Sequence, residues 1–267
     1  MKQLTARVVS KGAPIKGLYR PHGRSILFSQ TITLKCPEIA GEARPGQFVM
    51  LNCGDECMLP RPFSVHQVIN KEDLMLYFAV LENGNGTNWL AQRGVGDTVD
   101  LLGPLGNGFS IYPSSHKLLL VAGGMGVATL RFLADEAVKR GLPVTLLYGT
   151  PTEQRYPEGL LPPQIKLVTV TEDGSAGKKG RITEFIPEHI DWADQIFACG
   201  PLPMYKTMTQ IPALKDKPVQ VSLETRMGCG RGVCYGCTVK TKGGLKQVCQ
   251  NGPVFNLDDV LWDELAY

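Results

Sequence analysis

The sequence predicts a multidomain protein of β plus α/β class. We expect an antiparallel β-barrel, an α/β domain with a mostly parallel sheet, and a small C-terminal domain. Three changes of character along the 267 residues support this. Residues 1–113 contain short strand-like runs between turn signals, and residues 114–216 alternate between strand-like and helical segments. Residues 217–267 are rich in glycine and cysteine and would need a metal or a partner surface to fold.

Strand-like segments fill the first domain. ILFSQTITLKC, QFVMLNC, DLMLYFAVL and DTVDLLGPL carry alternating, β-branched or aromatic residues between Gly, Pro, Asn and Asp. Many short strands at regular spacing favour an antiparallel barrel. One short helix is predicted from Thr87 to Gln92, with Thr87 as its N-cap.

The second domain begins where the hydrophobic period changes. KLLLVAGG is a buried-strand run, and residues 127–140 have helical spacing that ends at Gly141. PVTLLYG, IKLVTVTEDG and QIFACG follow as strands, with helices predicted after Arg181 and over residues 203–210. This alternation is typical of a mostly parallel α/β sheet.

Charge and hydrophobicity argue against two classes of partner. The formal net charge is +3, and the Lys and Arg residues are scattered rather than clustered as in nucleic-acid or lipid patches. The longest apolar stretch, residues 118–122, is far shorter than the ~20 residues of a membrane-spanning helix. The N-terminus alternates polar and apolar residues, as a strand does and a signal peptide does not. We therefore expect a cytoplasmic protein that binds neither nucleic acid nor membranes.

Four cysteines near the end of the chain give the strongest signal. Cys229, Cys234, Cys237 and Cys249 have the spacing C-x4-C-x2-C-x11-C. Plant-type ferredoxins bind a 2Fe–2S cluster with C-x4-C-x2-C and a distant fourth cysteine. Glycines at 228, 230, 232 and 236 would permit positive φ angles and bring backbone N–H groups close to the sulfurs. The sequence therefore predicts a 2Fe–2S cluster on these cysteines.

A structural zinc site is the alternative for the same four residues. Zinc ribbons prefer two C-x2-C pairs, whereas this chain has one such pair inside a glycine-rich loop. The other cysteines (36, 53, 57 and 199) are predicted to be core or loop thiols.

A second group of residues fits a flavin dinucleotide. Such a cofactor needs a cation for its pyrophosphate, an apolar face against its ring and a hydrogen-bond partner for ring nitrogen N5. Arg61, Phe63 and Ser64 can supply these in that order. Alone, this segment also fits an edge strand with a surface arginine. The GNGT turn at 84–87 could hold a phosphate at a helix start, although alone a tight capped turn is the better interpretation.

Two glycine-containing strand ends could bind a nicotinamide dinucleotide. Residues 122–127 (AGGMGV) join a buried strand to a helix, where glycines let a pyrophosphate approach the helix end. The full GxGxxG fingerprint is absent because Thr129 occupies the last glycine position. Residues 199–201 end a later strand, at the side where α/β sheets bind ligands. A plain strand–turn–helix junction remains the alternative.

The motifs together resemble those of a known family. RPFS, GNGT, GPLGNGF, AGGMGVATL, TEDGS, CGPLPM and LETRMGCGRGVCYGC…VCQNGPVF occur in the order seen in ferredoxin–NADP-reductase-like flavoproteins. Within that group the chain is most similar to the electron-transfer subunits of type B dihydroorotate dehydrogenase. The likeness covers nearly the whole chain, and the glycine–cysteine loop with C-x-x-G-P-V-F is its most specific part.

The resemblance implies an NADH-dependent flavin and iron–sulfur oxidoreductase subunit. Residues 1–113 would form an FAD-binding barrel, 114–216 a Rossmann-like NAD-binding domain and 217–267 a 2Fe–2S domain. FAD would contact Arg61, Pro62, Phe63, Ser64, Ala79, Val80, Leu81, Gly86 and Thr87. NADH would bind at Gly123, Gly124, Gly126, Cys199, Gly200 and Pro201. No residue is predicted to act as a general acid or base.

The resemblance also implies a partner. This would be a separate FMN-containing dihydroorotate dehydrogenase catalytic subunit of pyrimidine biosynthesis, in a heterotetramer with two copies of each chain. A subunit of a sulfite reductase, hydrogenase or ferredoxin:NADP oxidoreductase shares the layout and stays an alternative, as does a zinc-stabilised binding module. Thr129 departs from the family's usual proline. Apart from Arg155 no arginine cluster for a ribose phosphate is evident, which favours NADH over NADPH.

Overall fold

A computed structural model describes residues 1–16, 25–153 and 161–265 of the chain. Arg155 lies outside these described residues. Among them, no helix is both long enough and apolar enough to cross a membrane.

The first half of the chain forms one antiparallel sheet of seven strands. The strands are β1 Lys2–Lys11, β2 Ile26–Lys35, β3 Phe48–Leu51, β4 Arg61–Ser64, β5 Gln67–Ile69, β6 Asp73–Leu81 and β7 Thr98–Leu105. They are ordered β4-β3-β7-β1-β2-β6-β5. Two helices accompany the sheet, α1 Pro37–Ala40 and α2 Asn85–Gln92. Helix α2 begins two residues before the predicted start, with Gly84 rather than Thr87 at its N-cap, so the prediction of that cap was wrong.

The sheet curls until its two edges meet at residues 65 and 66. The Val65 N–H donates to the Gln47 carbonyl beside β3, at 2.9 Å. The next residue, His66, donates to the Met75 carbonyl on β6, at 3.0 Å. Since consecutive residues pair with opposite edges, the sheet closes into a barrel around an apolar core.

The second sheet is the predicted α/β sheet. It contains β8 Leu118–Gly123, β9 Val144–Thr150, β10 Lys166–Thr171, β11 Lys178–Lys179, β12 Gln195–Cys199, β13 Val219–Ser222 and β16 Val254–Asn256. The helices of this part are α3 Val127–Lys139, α4 Ile182–Phe185, α5 Pro187–Ile190 and α6 Leu202–Met208. The order is β11-β10-β9-β8-β12-β13-β16, with only β16 antiparallel to its neighbour. Strands β9, β10 and β11 are added on one side of β8, and β12 and β13 are added on its other side. A topological switch point therefore lies between β8 and β12.

The C-terminal segment adds a two-stranded sheet and a short helix: β14 Thr238–Thr241, β15 Gly244–Gln247 and α7 Val248–Asn251. It is fastened to both larger sheets. Strands β13 and β16, which fall within the predicted third domain, belong to the α/β sheet. Asn107 donates to the Asn251 carbonyl at 2.8 Å, and its side-chain oxygen accepts from the Val254 N–H at 3.2 Å. The predicted boundary at residue 217 therefore precedes a strand that continues the sheet.

Helix α3 joins the barrel to the α/β sheet. Phe132 of this helix is buried in the barrel core. The ring of His66 contacts the Ala128 carbonyl at 2.9 Å, and because that oxygen only accepts, ring atom Nδ1 must donate. We call this contact region the seam. It consists of Ser64 and His66 of the barrel, Ala128 and Thr129 of α3, and Cys199 of β12, which lies next to Thr129.

Candidate cofactor and metal site

The four predicted ligand cysteines lie in one site. We call residues 228–237 the cysteine loop. The Arg231 N–H donates to Cys229 Sγ at 3.3 Å, and the Cys249 N–H donates to Cys237 Sγ at 3.4 Å. The sulfurs form two neighbouring pairs, Cys229 with Cys234 and Cys237 with Cys249. The structure thus brings the distant fourth cysteine to the loop, as the spacing predicted.

The loop backbone is shaped by two of its four glycines. Gly230 and Gly232 have φ of +66° and +77°, a region that glycine enters without strain. Gly228 and Gly236 do not use the positive φ that glycine permits. A Cβ on either would instead lie 3.6 Å from Cys234 Sγ. Tyr235 also takes a positive φ, of +57°, which no pattern in the sequence predicts.

The electrostatics of the loop favour a thiolate at Cys229. Burial raises the pKa of Cys229, but three loop N–H groups, that of Arg231 foremost, outweigh it and lower the pKa to about 6. Burial and then the neighbouring Cys237 thiol raise the pKa of Cys249 to about 12. Two neighbouring pairs of thiols gain stability when cations neutralise the charge of their thiolates.

A 2Fe–2S cluster fits this donor set. It needs four thiolates, two for each iron, and N–H groups near the sulfurs, and the two cysteine pairs with their donated N–H groups provide both. Within the described part of the chain, no three side chains of His, Cys, Asp or Glu converge as ligands of one ion do.

The cysteine loop rests on the barrel beside the strand with the predicted flavin residues. A Cβ on Gly230 would lie 2.5 Å from Met50 Cγ on β3, and Met50 pairs with Pro62 of β4. The Arg231 guanidinium donates to the Gln3 side chain of β1 at 2.7 Å. A cavity of about 70 Å³ remains between loop and barrel, next to Cys229.

The structure brings the predicted pyrophosphate residues together. A Cβ on Gly86, at the start of α2, would lie 2.9 Å from Arg61 Cγ, so only glycine lets this helix end approach the arginine. The Thr87 hydroxyl accepts from the Leu81 N–H and donates to the Gly84 carbonyl, each at 3.2 Å. Thr87 therefore ties α2 to the end of β6, while the first N–H groups of the helix have no partner within the helix.

The strands alternate their faces, which changes the role of two predicted residues. Phe63 is buried, and its ring packs edge-on against Phe78 at 5.7 Å inside the barrel. A flavin on the outer face would therefore meet the Phe63 backbone and not its ring. On β6, Val80 also points into the core, whereas Ala79 and Leu81 are partly exposed.

The predicted nicotinamide residues lie at the switch point. Strands β8 and β12 are parallel neighbours, with Ala122 paired to Cys199, so residues 123–126 and 199–201 share one edge. A Cβ on Gly123 would lie 2.7 Å from Pro201 Cδ, and one on Gly126 would overlap the Cys199 carbonyl. Gly124, at φ +54°, has open space in front of it. The Cys199 thiol itself is buried, so a dinucleotide would meet this strand end through its backbone.

Sequence reasoning missed the hydrogen bond that Thr129 donates to Ser64 Oγ at 3.0 Å. Thr129 had been noted only as a departure from a glycine or proline pattern. The two residues are 65 positions apart, and no local pattern predicts their contact.

Comparisons with known proteins agree with this architecture. Residues 224–261 match the model of the iron–sulfur cluster binding domain of dihydroorotate dehydrogenase B. The chain is 39% identical over 238 residues to the dihydroorotate dehydrogenase B (NAD(+)) electron transfer subunit of Desulforamulus reducens, covering 85% of this chain and 90% of that one. It is 38% identical to the same subunit of Caldanaerobacter subterraneus, covering 82% and 87%.

Solved structures show the same fold. One, from a study of flavin-based electron bifurcation by the NADH-dependent reduced ferredoxin-NADP oxidoreductase, has a TM-score of 0.81 at 29% identity, covering 97% of this chain and 91% of the other. A ferredoxin NADP+ reductase from Neisseria gonorrhoeae with bound FAD and NADP has a TM-score of 0.60 at 19% identity, covering 85% and 94%.

Proposed function

The chain belongs to the family of dihydroorotate dehydrogenase B electron transfer subunits, and we propose that it carries electrons between NADH and an FMN-containing catalytic subunit through FAD and a 2Fe–2S cluster. One observation carries this proposal. Three cysteines of the cysteine loop meet Cys249 of α7, and Gly230 of that loop packs on Met50, the strand partner of Pro62. The cluster residues and the flavin residues are therefore separated by a single strand pairing.

The three redox groups explain the arrangement. When bound, nicotinamide gives up two electrons as hydride, FAD takes the pair and releases single electrons, and the cluster carries one at a time. The chain's own tasks are to bind, orient and exclude water. The N–H groups of the cysteine loop stabilise thiolate charge. The buried seam holds the sheet edge at residues 123–126 and 199–201, the proposed NADH site, against β4, the proposed flavin strand.

Each proposed site has support from the structure. Arg61 and the start of α2 at Gly86 would bind the FAD pyrophosphate. The rest of β4, with Ala79, Leu81 and the backbone of Val80, would line the flavin. The NADH pyrophosphate would bind in the open space at Gly124. Gly200, which packs closely against Met204, would line the same site through its backbone. We assign residues 1–113, 114–216 and 217–267 to FAD, NADH and the cluster, noting that the third part shares its sheet with the second.

An exposed apolar rim surrounds Cys234 and fits a protein partner. Met58, Val233 and Tyr235 are 96%, 72% and 69% exposed, and Leu59 lies near Gly228. Apolar groups clustered at a redox centre are typical of an interface. We assign the catalytic subunit to this rim, as a cytoplasmic heterotetramer with two copies of each chain. Tyr235→Asp should prevent capture of that subunit, whereas Tyr112→Asp, on another face, should not.

The cofactor content tests the first half of the proposal. Anaerobically purified protein should be brown, contain about two irons and two sulfides per chain and one FAD, and lose flavin absorbance on addition of NADH. A colourless protein with one zinc and no flavin would contradict it. Affinity purification from the native cell tests the second half, because the co-purified flavoprotein should contain FMN and oxidise dihydroorotate.

A second candidate is a subunit of a ferredoxin:NADP oxidoreductase. The likeness to the bifurcating oxidoreductase structure over 97% of this chain favours it. The same affinity purification separates the two, since the co-purified chain would then lack dihydroorotate-oxidising activity.

A further inference from the structure

Thr129 makes a buried contact between the two proposed dinucleotide sites. It is the third residue of α3, directly after the nicotinamide glycines, and is 2% exposed. Its hydroxyl reaches across the seam to Ser64 Oγ on β4 at 3.0 Å. Ser64 itself is only partly buried, so its other side remains open to a ligand.

The direction of this hydrogen bond is informative. Thr129 is the donor and the Ser64 oxygen is the acceptor. A hydroxyl has one proton, so Ser64 keeps its own proton for an acceptor elsewhere. Because Ser64 is partly exposed on β4, a ligand on the open side of that strand can supply the acceptor.

Cys199 lies next to Thr129 on the buried side of the seam. It is fully buried at the end of β12, and its thiol is in hydrogen-bond contact with Thr129. Burial raises the pKa of Cys199 to about 12, although its contact with the Thr129 hydroxyl acts in the opposite direction, so the thiol keeps its proton at neutral pH. Thr129 is therefore enclosed between a neutral thiol and the Ser64 hydroxyl.

We propose that Thr129 is a positioning residue for hydride transfer, which fixes the Ser64 hydroxyl so that its proton points to the flavin ring. This inference rests on the proposed function, because it requires a flavin on β4. Neither hydroxyl loses a proton in the reaction. With both cofactors bound, hydride would pass from the nicotinamide to the flavin, and the two side chains would only hold an orientation.

The test compares Thr129→Val, Thr129→Ser and Ser64→Ala in the FAD-loaded chain. Stopped-flow mixing with NADH gives the limiting rate of flavin reduction and the NADH concentration at half-saturation. Thr129→Val should lower the limiting rate about tenfold with little change in half-saturation, the range for loss of one oriented hydrogen bond. Thr129→Ser should stay within about twofold of the original chain.

The double variant Ser64→Ala/Thr129→Val decides whether Thr129 acts through Ser64. Its rate should equal that of Ser64→Ala alone, because nothing remains to be positioned. The FAD midpoint potential provides a readout independent of turnover, and Thr129→Val and Ser64→Ala should shift it in the same direction. Thr33→Val is the matched control, since Thr33 is buried and its hydroxyl has no hydrogen-bond partner within the described residues.

Several results would overturn the inference. These are a Thr129→Val rate within twofold of the original, a further slowing in the Ser64→Ala background, or an unchanged midpoint potential. If Thr129→Val does not fold, Thr129→Ala takes its place with the same expectations. Absence of FAD or of reduction by NADH in the unmodified chain would instead refute the proposed function, so the two failures are distinguishable.

Discussion

The cysteine loop and the seam treat ionisable groups in opposite ways. In the loop, N–H groups overcome burial and lower the pKa of Cys229 to about 6. In the seam, burial prevails: it lowers the pKa of His66 to about 3 and raises the pKa of Cys199 to about 12. At neutral pH, the loop therefore favours charge and the seam excludes it.

The difference follows from what surrounds each group. A surface loop with positive-φ glycines can turn several N–H groups toward one sulfur. The seam lies between a closed barrel and a covered sheet, where an unpaired charge loses its hydration without compensation. The proposed thiolate ligands suit the first environment, and a buried contact between two proposed cofactor sites suits the second.

Removing a ligand cysteine should give the largest effect. Cys249→Ser should reduce the iron content from about two per chain to near zero, because serine is a poor ligand for the cluster and the other three cysteines cannot complete it. FAD should remain, since the barrel is intact. Iron analysis and the electron paramagnetic resonance of the reduced protein measure this change.

The control is a cysteine with the opposite environment. Cys36 is 1% exposed, and burial raises its pKa to about 12. Cys36→Ser should keep all iron and lose about 1–2 kcal/mol of folding free energy through burial of a hydroxyl. Equal iron loss in both variants would remove the distinction between the two regions.

Acid should weaken the seam through His66. The pKa of His66 is about 3 in the folded protein, against about 6.5 when unfolded. The unfolded state therefore binds a proton that the folded state does not. The contribution of neutral His66 to the free energy of unfolding is fully present above about pH 6.5. It decreases as the pH falls toward 3, by up to about 4 kcal/mol.

Denaturant unfolding between pH 4 and 8 measures how the free energy of unfolding changes with pH. His66→Asn keeps a donor for the Ala128 carbonyl but cannot titrate, so it should flatten the dependence. His116→Asn, at an exposed position, should leave it as it was. An unchanged slope in His66→Asn would mean that acid acts elsewhere in the chain.

Packing of the loop on the barrel should give a smaller effect. Gly230→Ala places a Cβ 2.5 Å from Met50 at a φ of +66°, so it should cost about 2–3 kcal/mol and reduce cluster occupancy. Gly244→Ala is the control, because its φ is +91° but nothing lies within 4 Å. It should cost about 1 kcal/mol and leave the iron content intact. Equal losses of stability and of iron in the two variants would show that backbone strain, and not the contact with Met50, determines the effect.

Local features of the sequence predicted much of this molecule, and distant contacts supplied the rest. Cys229, Cys234 and Cys237 lie within nine residues, so spacing alone predicted them as ligands. Strand periodicity likewise indicated both sheets. The α2 cap was misplaced because the turn before it, at Gly84, already supplies the helix start. The burial of Phe63 on β4 depends on how the barrel closes. The Thr129–Ser64 contact depends on how the barrel meets α3. No local sequence pattern encodes either of these.

The hydrogen bond between Arg231 and Gln3 should give the smallest effect, and it tests what holds the cysteine loop in place. The bond is 2.7 Å long but exposed, so water replaces either partner at little cost. Arg231→Ala and Gln3→Ala should each lower stability by about 0.5 kcal/mol or less, with a coupling of the same size in the double variant, and iron content should not change. The apolar contact of Gly230 with Met50 would then provide most of the attachment. A loss above about 2 kcal/mol in either single variant would reverse that order, because the exposed polar bond would then hold the loop more strongly than its buried contact.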